Sequence, residues 1–208
     1  ALQAIGRRLY TLHFGRPTFA TREVIRPLLV EAASAVDGHT LSPHFLLTEW
    51  EEVVDAWQLD TWEAYRDVRR LGRKTRLPEP QRAVLWSILA RLRAQLSAQG
   101  YVTDAEVYRR LATQCADGTH LPFDFAVVDE AQDLSVAQLQ FLAALGAAHP
   151  DSLFFAGDLG QRIFQPPFSW CALGIDIRGR SRTLHINYRT SHQIRLQADR
   201  LLGPALAD

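Results

Sequence analysis

The stretch Phe-Asp-Phe-Ala-Val-Val-Asp-Glu-Ala-Gln-Asp, residues 123 to 133, decides the fold that we expect for this chain. Its apolar run, residues 125–128, is typical of a strand that is buried on both faces of a parallel sheet. Two adjacent carboxylates, Asp129 and Glu130, follow directly, and a third acid, Asp133, comes three residues later. Because open α/β sheets bind ligands at the carboxyl ends of their strands, we expect these acids to face a ligand.

Paired carboxylates at a strand end indicate the acidic half of a nucleoside-triphosphatase site. One carboxylate can hold Mg²⁺, directly or through water, while its neighbour orients or deprotonates an attacking water. The sequence therefore predicts a magnesium site at Asp129 and Glu130.

Size and composition are those of a soluble globular protein. The 208 residues fit one large domain or two small ones, and the contents of 47% hydrophobic and 22% charged residues are ordinary. No segment has the length and apolarity of a membrane span or the pattern of a signal peptide, so we expect a cytoplasmic protein without a membrane partner. Cys115, Cys171 and the seven histidines lack metal-ligand spacing, so a zinc site is not predicted. The chain begins with Ala and contains no Met, so we expect it to be part of a longer protein.

The first 97 residues predict helices and show no β pattern. One helical pattern runs from Glu49 to Tyr65, and Asp60 and Thr61 predict a break and a new N-cap within it. Its aromatic residues favour core packing over base stacking. Another pattern, from Gln81 to Leu96, places leucines and an isoleucine on one face.

After Gly100 the pattern changes to alternating strands and helices, as in a parallel sheet with helices on its faces. Thr103 is a predicted N-cap, as is Ser135. The predicted elements are a helix from Thr103 to about Gln114, a strand at Phe123–Val128, a helix at Ser135–Ala147, a strand at Leu153–Ala156, a third strand at Thr183–Asn187 and a helix at Ser191–Leu202.

Three segments, in this order and spacing, resemble the UvrD/Rep-type DNA helicases of superfamily 1. Val128–Asp133 resembles that family's motif II, Ala156–Phe164 its motif III, and Leu184–Ser191 its motif IV. The resemblance implies an α/β fold, a parallel-sheet P-loop NTPase (RecA-like) motor domain, incomplete here, with an all-α inserted subdomain. It implies a helical 1B-like subdomain at residues 1–97 and a partial motor domain 1A at residues 98–208.

The resemblance also implies the cofactors ATP and Mg²⁺ and a role for each matching residue. Asp129 would position Mg²⁺, and Glu130 would contribute to the metal site and activate water. Gln161 would sense the γ-phosphate, and Arg189 would stabilise the transferring phosphoryl group. Two further residues would bind the cofactor side of the site and link it to neighbouring motifs: Gln132 and Asp133.

The implied partners are single-stranded and duplex DNA, with translocation from 3′ to 5′. Phe164, Phe168 and Trp170 occupy the stretch that presents stacking aromatics in the family. The sequence departs from the family in two respects. Residues 165–170 replace the aromatic–Arg–Gly sequence that relatives often show after motif III, and no G-x-x-x-x-G-K-[ST] loop is present, since Leu71–Thr75 does not match it. We therefore expect the Walker A segment and the second motor domain to lie elsewhere in the parent chain, and residues 1–208 alone to be inactive.

Other interpretations remain open from the residues. One alternative is a DNA-binding or protein-interaction module whose carboxylates are not catalytic. Another is a metal-dependent nuclease or phosphatase that uses Asp129, Glu130 and Asp133. A basic segment, residues 66–76, fits either phosphate binding or a solvated helix end. Its candidate DNA contacts are Arg69, Arg70 and Arg73.

Overall fold

The computed structural model describes residues 2–68, 77–118, 123–147, 149–158, 169–184, 186, 188 and 190–200. The helices are α1 (Leu2–Phe14), α2 (Arg22–Ser34), α3 (Pro43–Glu49), α4 (Trp62–Asp67), α5 (Glu79–Ala98), α6 (Asp104–Ala116), α7 (Val136–Gly146) and α8 (His192–Asp199). The strands are β1 (Thr18–Phe19), β2 (Tyr101–Val102), β3 (Ala126–Val128) and β4 (Leu153–Phe155). A π-helix, Trp50–Asp55, continues α3, and short 3₁₀ helices span Ala131–Asp133 and Cys171–Leu173.

A first hydrophobic core lies among α2, α3, the π-helix, α4 and α5. The predicted face of α5 is confirmed, since its five apolar residues are buried: Leu85, Ile88, Leu89, Leu92 and Leu96. The predicted break is also confirmed, because Thr61 caps α4 by accepting a hydrogen bond from the Ala64 nitrogen at 3.2 Å. Trp50 is buried in this core, as its helical spacing predicted.

A second core is built by α1, α6 and α7, with contributions from the strands. Leu9 and Tyr10 of α1 pack there. We predicted no β structure within the first 97 residues, and this was wrong, because β1 pairs in parallel with β2. Thr18 lies opposite Tyr101, and Phe19 lies opposite Val102. Two residues are too few for an alternating pattern, so the strand depends on its distant partner.

The second sheet pairs β3 and β4 in parallel, and α7 connects them. Ala126, Val128 and Phe155 face the second core, but Phe125, Val127 and Phe154 are 71%, 79% and 62% exposed. The prediction of a strand buried on both faces was therefore wrong for the described residues. An apolar run shows that burial is tolerated but does not require it, and in the described part of the chain a helix packs on only one face of this two-stranded sheet.

The third predicted strand is not formed by the described part of residues 183–187. Thr183, Leu184 and Ile186 have no strand partner, and Leu184 is 93% exposed. An alternating segment becomes a strand only when a neighbour accepts its ladder hydrogen bonds, and none lies beside these residues in the described structure. His185 and Asn187 lie outside the described residues.

Asp55 joins the two cores at the end of the π-helix. Its Oδ1 accepts hydrogen bonds from Gln58 Nε2 and Thr103 Oγ1, both at 2.7 Å. Thr103 also caps α6, because its Oγ1 accepts from the Glu106 nitrogen at 3.1 Å. The π-helical turn, closed by the Leu59 nitrogen on the Val54 carbonyl at 2.9 Å, therefore brings a carboxylate to the start of α6.

Among the described residues, no helix combines the length and apolarity that a bilayer crossing requires.

Candidate functional site

The ends of β3 and β4 meet at one edge of the second sheet. The Ala156 nitrogen donates to the Val128 carbonyl at 2.8 Å, and the Ala131 nitrogen donates to the Ala156 carbonyl at 2.9 Å. These bonds extend the pairing beyond the last strand residues. The structure therefore places Asp129 and Glu130 beside Gly157 and Asp158.

Glu130 has an unusual backbone conformation, with φ 54° and ψ 44° in the left-handed region. Its nitrogen donates to Asp129 Oδ1 at 2.9 Å, and its carbonyl accepts from the Asp133 nitrogen at 3.0 Å. This conformation is costly for a residue with a β-carbon, and such costs are concentrated at functional sites. The sharp turn presents the exposed side chains of Asp129 and Glu130 at the end of β3.

Gln132 lies beneath this turn and is 4% exposed. Its Nε2 donates to Glu130 Oε2 at 2.5 Å, and its Oε1 accepts from the Asp158 nitrogen at 3.0 Å. One buried amide therefore connects an acidic side chain after β3 with the backbone after β4.

Gly157 makes room for that amide. A β-carbon at this position would lie 2.5 Å from Gln132 Oε1 and 3.0 Å from the Ala131 nitrogen. The first distance is shorter than any ordinary contact, so a side chain at this position would force the Gln132 amide to move.

The acidic turn is anchored to the second core through α7. Ser135 and Gln138 form a reciprocal capping box at the start of the helix. Gln138 Nε2 also donates to the Tyr108 hydroxyl at 3.3 Å, and the Tyr108 and Phe141 rings are 5.8 Å apart. The residues behind the turn are thus held by a packed helix pair, which suits a site that must keep its geometry.

The oxygen donors at the turn fit a hard divalent cation. Asp129 and Glu130 are exposed carboxylates, and Asp129 uses one oxygen for the Glu130 backbone nitrogen. Mg²⁺ is commonly held by one or two carboxylates together with water and phosphate oxygens. No group of three or more His, Cys, Asp or Glu residues suited to a metal ion occurs in the part of the chain that the structure describes.

The remaining predicted site residues fall into two groups. Asp133 is exposed at the end of the turn, and Trp170 is half-buried against Phe155, with 5.1 Å between ring centroids and 59° between ring planes. The other group lies outside the described residues: Gln161, Phe164, Phe168, Arg189, Arg69, Arg70 and Arg73. The distance between Glu130 and Arg189, on which the predicted site depends, stays a prediction.

Two structural contributions were not predicted from the sequence. Gly157 follows an apolar strand as part of Ala-Gly-Asp, which identifies a turn but not the contact with Gln132. Asp55 was not singled out, although an acid next to buried valines indicates a buried polar contact.

Comparison with known proteins agrees with this geometry. A family model described as the UvrD/REP helicase N-terminal domain matches residues 36–166, more than half of the chain. No curated protein matches the sequence. The family model implies a P-loop NTPase motor domain, and the mixed helical structure with small parallel sheets is consistent with part of one. Because this family model covers more than half of the chain, including both strand ends of the second sheet, the chain belongs to the UvrD/REP helicase family.

Proposed function

We propose that this chain is part of the motor of an ATP-dependent DNA helicase, which couples ATP hydrolysis to 3′-to-5′ movement on single-stranded DNA and to duplex unwinding. In this proposal, residues 1–97 form a 1B-like helical insertion, and residues 98–208 form part of a RecA-like motor domain 1A. The helix α1 packs on the motor part through Leu9 and Tyr10. The observation that carries the proposal is the acidic turn after β3, joined to the end of β4 by Gln132.

The acidic turn supplies two different functions in this reaction. Asp129 and Glu130 would hold Mg²⁺, which neutralises charge on the β- and γ-phosphates. Glu130 would also accept a proton from the attacking water, since its carboxylate is exposed at the tip of a rigid turn. Asp133 and Gln132 complete the cofactor side of the site.

Charge on the transferring phosphoryl group needs stabilisation from elsewhere in the chain. Arg189 would supply a guanidinium, and Gln161 would contact the γ-phosphate or the water. Both assignments come from the family motifs, and the parallel pairing of β3 with β4 supports a common edge for motifs II and III.

DNA would lie along the aromatic segment that follows motif III and on the basic segment of the helical insertion. Phe164, Phe168 and Trp170 would stack on bases. The ring of Trp170 packs on Phe155, so only part of its surface would contact a base. Backbone phosphates would contact Arg69, Arg70 and Arg73.

The test is DNA-stimulated ATP hydrolysis by the full-length protein, because residues 1–208 contain no phosphate-binding loop sequence and we propose that they do not turn over ATP alone. Glu130→Gln keeps the size of the side chain and removes the base, so kcat should fall by about 100-fold or more. The matched control is Asp124→Asn, which changes an exposed acid just before β3. Hydrolysis by Glu130→Gln at the rate of the control would exclude Glu130 as the base.

A DNA-binding module without catalysis is the other outcome of this test. In that case the natural protein and the Asp124→Asn control would both bind single-stranded DNA, but neither would hydrolyse ATP. That result would remove the assigned roles of Asp129 and Glu130 together.

A further inference from the structure

The position of the Glu130 carboxylate is not fixed by the backbone of Glu130 and depends on contacts with neighbouring residues. A left-handed conformation costs a residue with a β-carbon about 1–2 kcal/mol, so the turn persists only where its surroundings hold it. The carboxylate itself is exposed, and an exposed glutamate ordinarily samples several rotamers. Gln132 Nε2 donates a hydrogen bond to this carboxylate at 2.5 Å.

The orientation of the Gln132 amide is set from its other end. Its oxygen accepts the Asp158 backbone N–H at 3.0 Å, and only the oxygen of a primary amide can accept a hydrogen bond. The nitrogen must therefore face Glu130. Because the side chain is 4% exposed, water does not compete freely for either contact.

We propose that Gln132 is a positioning residue for Glu130, and that Gly157 is the position that admits its amide between the two strand ends. This inference rests on the proposed function, in which Glu130 activates water. Gln132 holds the Glu130 carboxylate in one place and ties it to the backbone that follows β4. Movement at Asp158 is thereby transmitted to the hydrolytic carboxylate through one side chain.

Gly157 and Gln132 act as one unit in this arrangement. A methyl group at Gly157 would lie 2.5 Å from Gln132 Oε1, so the amide would have to move away from the Asp158 nitrogen. Moving the oxygen also moves the nitrogen, and the hydrogen bond to Glu130 is lost at the same time. A substitution at Gly157 should therefore have the same effect as removal of the amide.

The experiment compares Gln132→Ala, Gln132→Glu, Gly157→Ala and the Gln132→Ala/Gly157→Ala double variant in the full-length protein. Each single variant should lower kcat for DNA-stimulated ATP hydrolysis by about 10–100-fold, because small misplacements of a reacting group have effects of that size. KM for ATP should stay within about threefold, because Gln132 is 4% exposed and acts on the cofactor side through Glu130 rather than by touching ATP. Gln140→Ala, on the following helix, is the matched control and should hydrolyse ATP like the natural protein.

Hydrogen exchange separates positioning from general loosening of the structure. Gln132→Glu keeps an oxygen for the Asp158 N–H but places a carboxylate against Glu130. Exchange at Asp158 should therefore remain slow in Gln132→Glu and become fast in Gln132→Ala, although both variants lose kcat. Rapid exchange across α7 in either variant would show a folding defect and overturn the proposal.

The double variant tests whether the two residues act together. Gly157→Ala should lower kcat less when Gln132 is already Ala than it does in the natural chain, because the closest contact of the added methyl group, the Gln132 amide, is then gone and only the contact with backbone nitrogens such as that of Ala131 at 3.0 Å remains. Independent, multiplying losses would overturn the pairing. If Glu130→Gln is inactive while Gln132→Ala and Gln132→Glu keep the natural kcat, only the positioning role fails. If Glu130→Gln is fully active, the proposed function fails first.

Discussion

The buried carboxyl group of Asp55, which lies between the two cores, predicts how the stability of the protein changes with pH. Burial raises the pKa of its carboxyl group from 3.8 to about 6, although the hydrogen bonds from Thr103 and Gln58 and the nearby charge of Arg93 act in the opposite direction. Glu106, on the facing helix α6, adds to the increase. Asp55→Asn keeps an oxygen that can accept both hydrogen bonds and removes the charge that burial penalises.

The magnitude follows from the difference between the folded and unfolded states. The folded state binds the proton more tightly, so the contribution of Asp55 to stability is full below pH 3.8 and is lost as pH rises through about 6. A shift of about two pKa units corresponds to about 3 kcal/mol, since each unit is worth about 1.4 kcal/mol. The free energy of unfolding of Asp55→Asn, relative to the natural chain, should therefore rise by about 2–3 kcal/mol between about pH 4 and pH 7.5.

Urea unfolding at a series of pH values measures this difference. Asp37→Asn, in the exposed loop between α2 and α3, is the control for removal of one acid and should not show the same rise. Asp55→Ala also removes the side-chain oxygen that accepts hydrogen bonds from Thr103 and Gln58. It should therefore be less stable than Asp55→Asn at every pH. A constant difference between Asp55→Asn and the natural chain across this pH range would refute the buried-carboxylate argument.

Two further predictions concern the first core and the proposed DNA contacts. The Tyr65 hydroxyl donates to Glu49 Oε1 at 2.9 Å, and both side chains are fully buried. Tyr65→Phe should therefore lower the free energy of unfolding by about 1–3 kcal/mol, as measured by thermal unfolding. The comparison variant is Trp86→Phe, which leaves this hydrogen bond intact and keeps a ring beside Tyr65. The combined replacement of Arg69, Arg70 and Arg73 by Ala should weaken binding of single-stranded DNA and reduce the salt slope of its affinity by about 2–3, as measured by fluorescence titration at several salt concentrations. An unchanged slope would indicate a solvated basic segment.

Helices were predictable from the sequence because their signals are local. Ser135, Thr103 and Thr61 each accept a hydrogen bond from a backbone nitrogen three residues later, and each was recognised as a cap. The buried face of α5 repeats at helical spacing within one segment. Such patterns need no knowledge of distant residues.

Strands depended on partners that the pattern does not identify. Residues 125–128 and 153–156 predicted two strands correctly, and the parallel pairing of β3 with β4 follows from the connecting helix. The exposure of Val127 and Phe154, however, depends on whether another element packs on their face of the sheet, and the two residues themselves do not indicate this. The same dependence explains β1, which exists because Thr18 lies beside Tyr101.

The acidic turn shows which parts of a site a local sequence indicates and which it does not. Residue types suggest metal-binding and proton-transfer roles for Asp129 and Glu130, because few other side chains perform those functions, and these roles stay predictions. The left-handed backbone of Glu130 and the burial of Gln132 have no signal in the local pattern, and the contacts that hold Gln132 come from Gly157 and Asp158, more than 20 residues away. A glutamine in a polar turn would ordinarily be solvated; here the absence of a β-carbon at Gly157 allows it to enter, and the Asp158 nitrogen orients it. Gly157 and Gln132 should therefore be retained or lost together, because changing either one removes the hydrogen bond from Gln132 Nε2 to the Glu130 carboxylate.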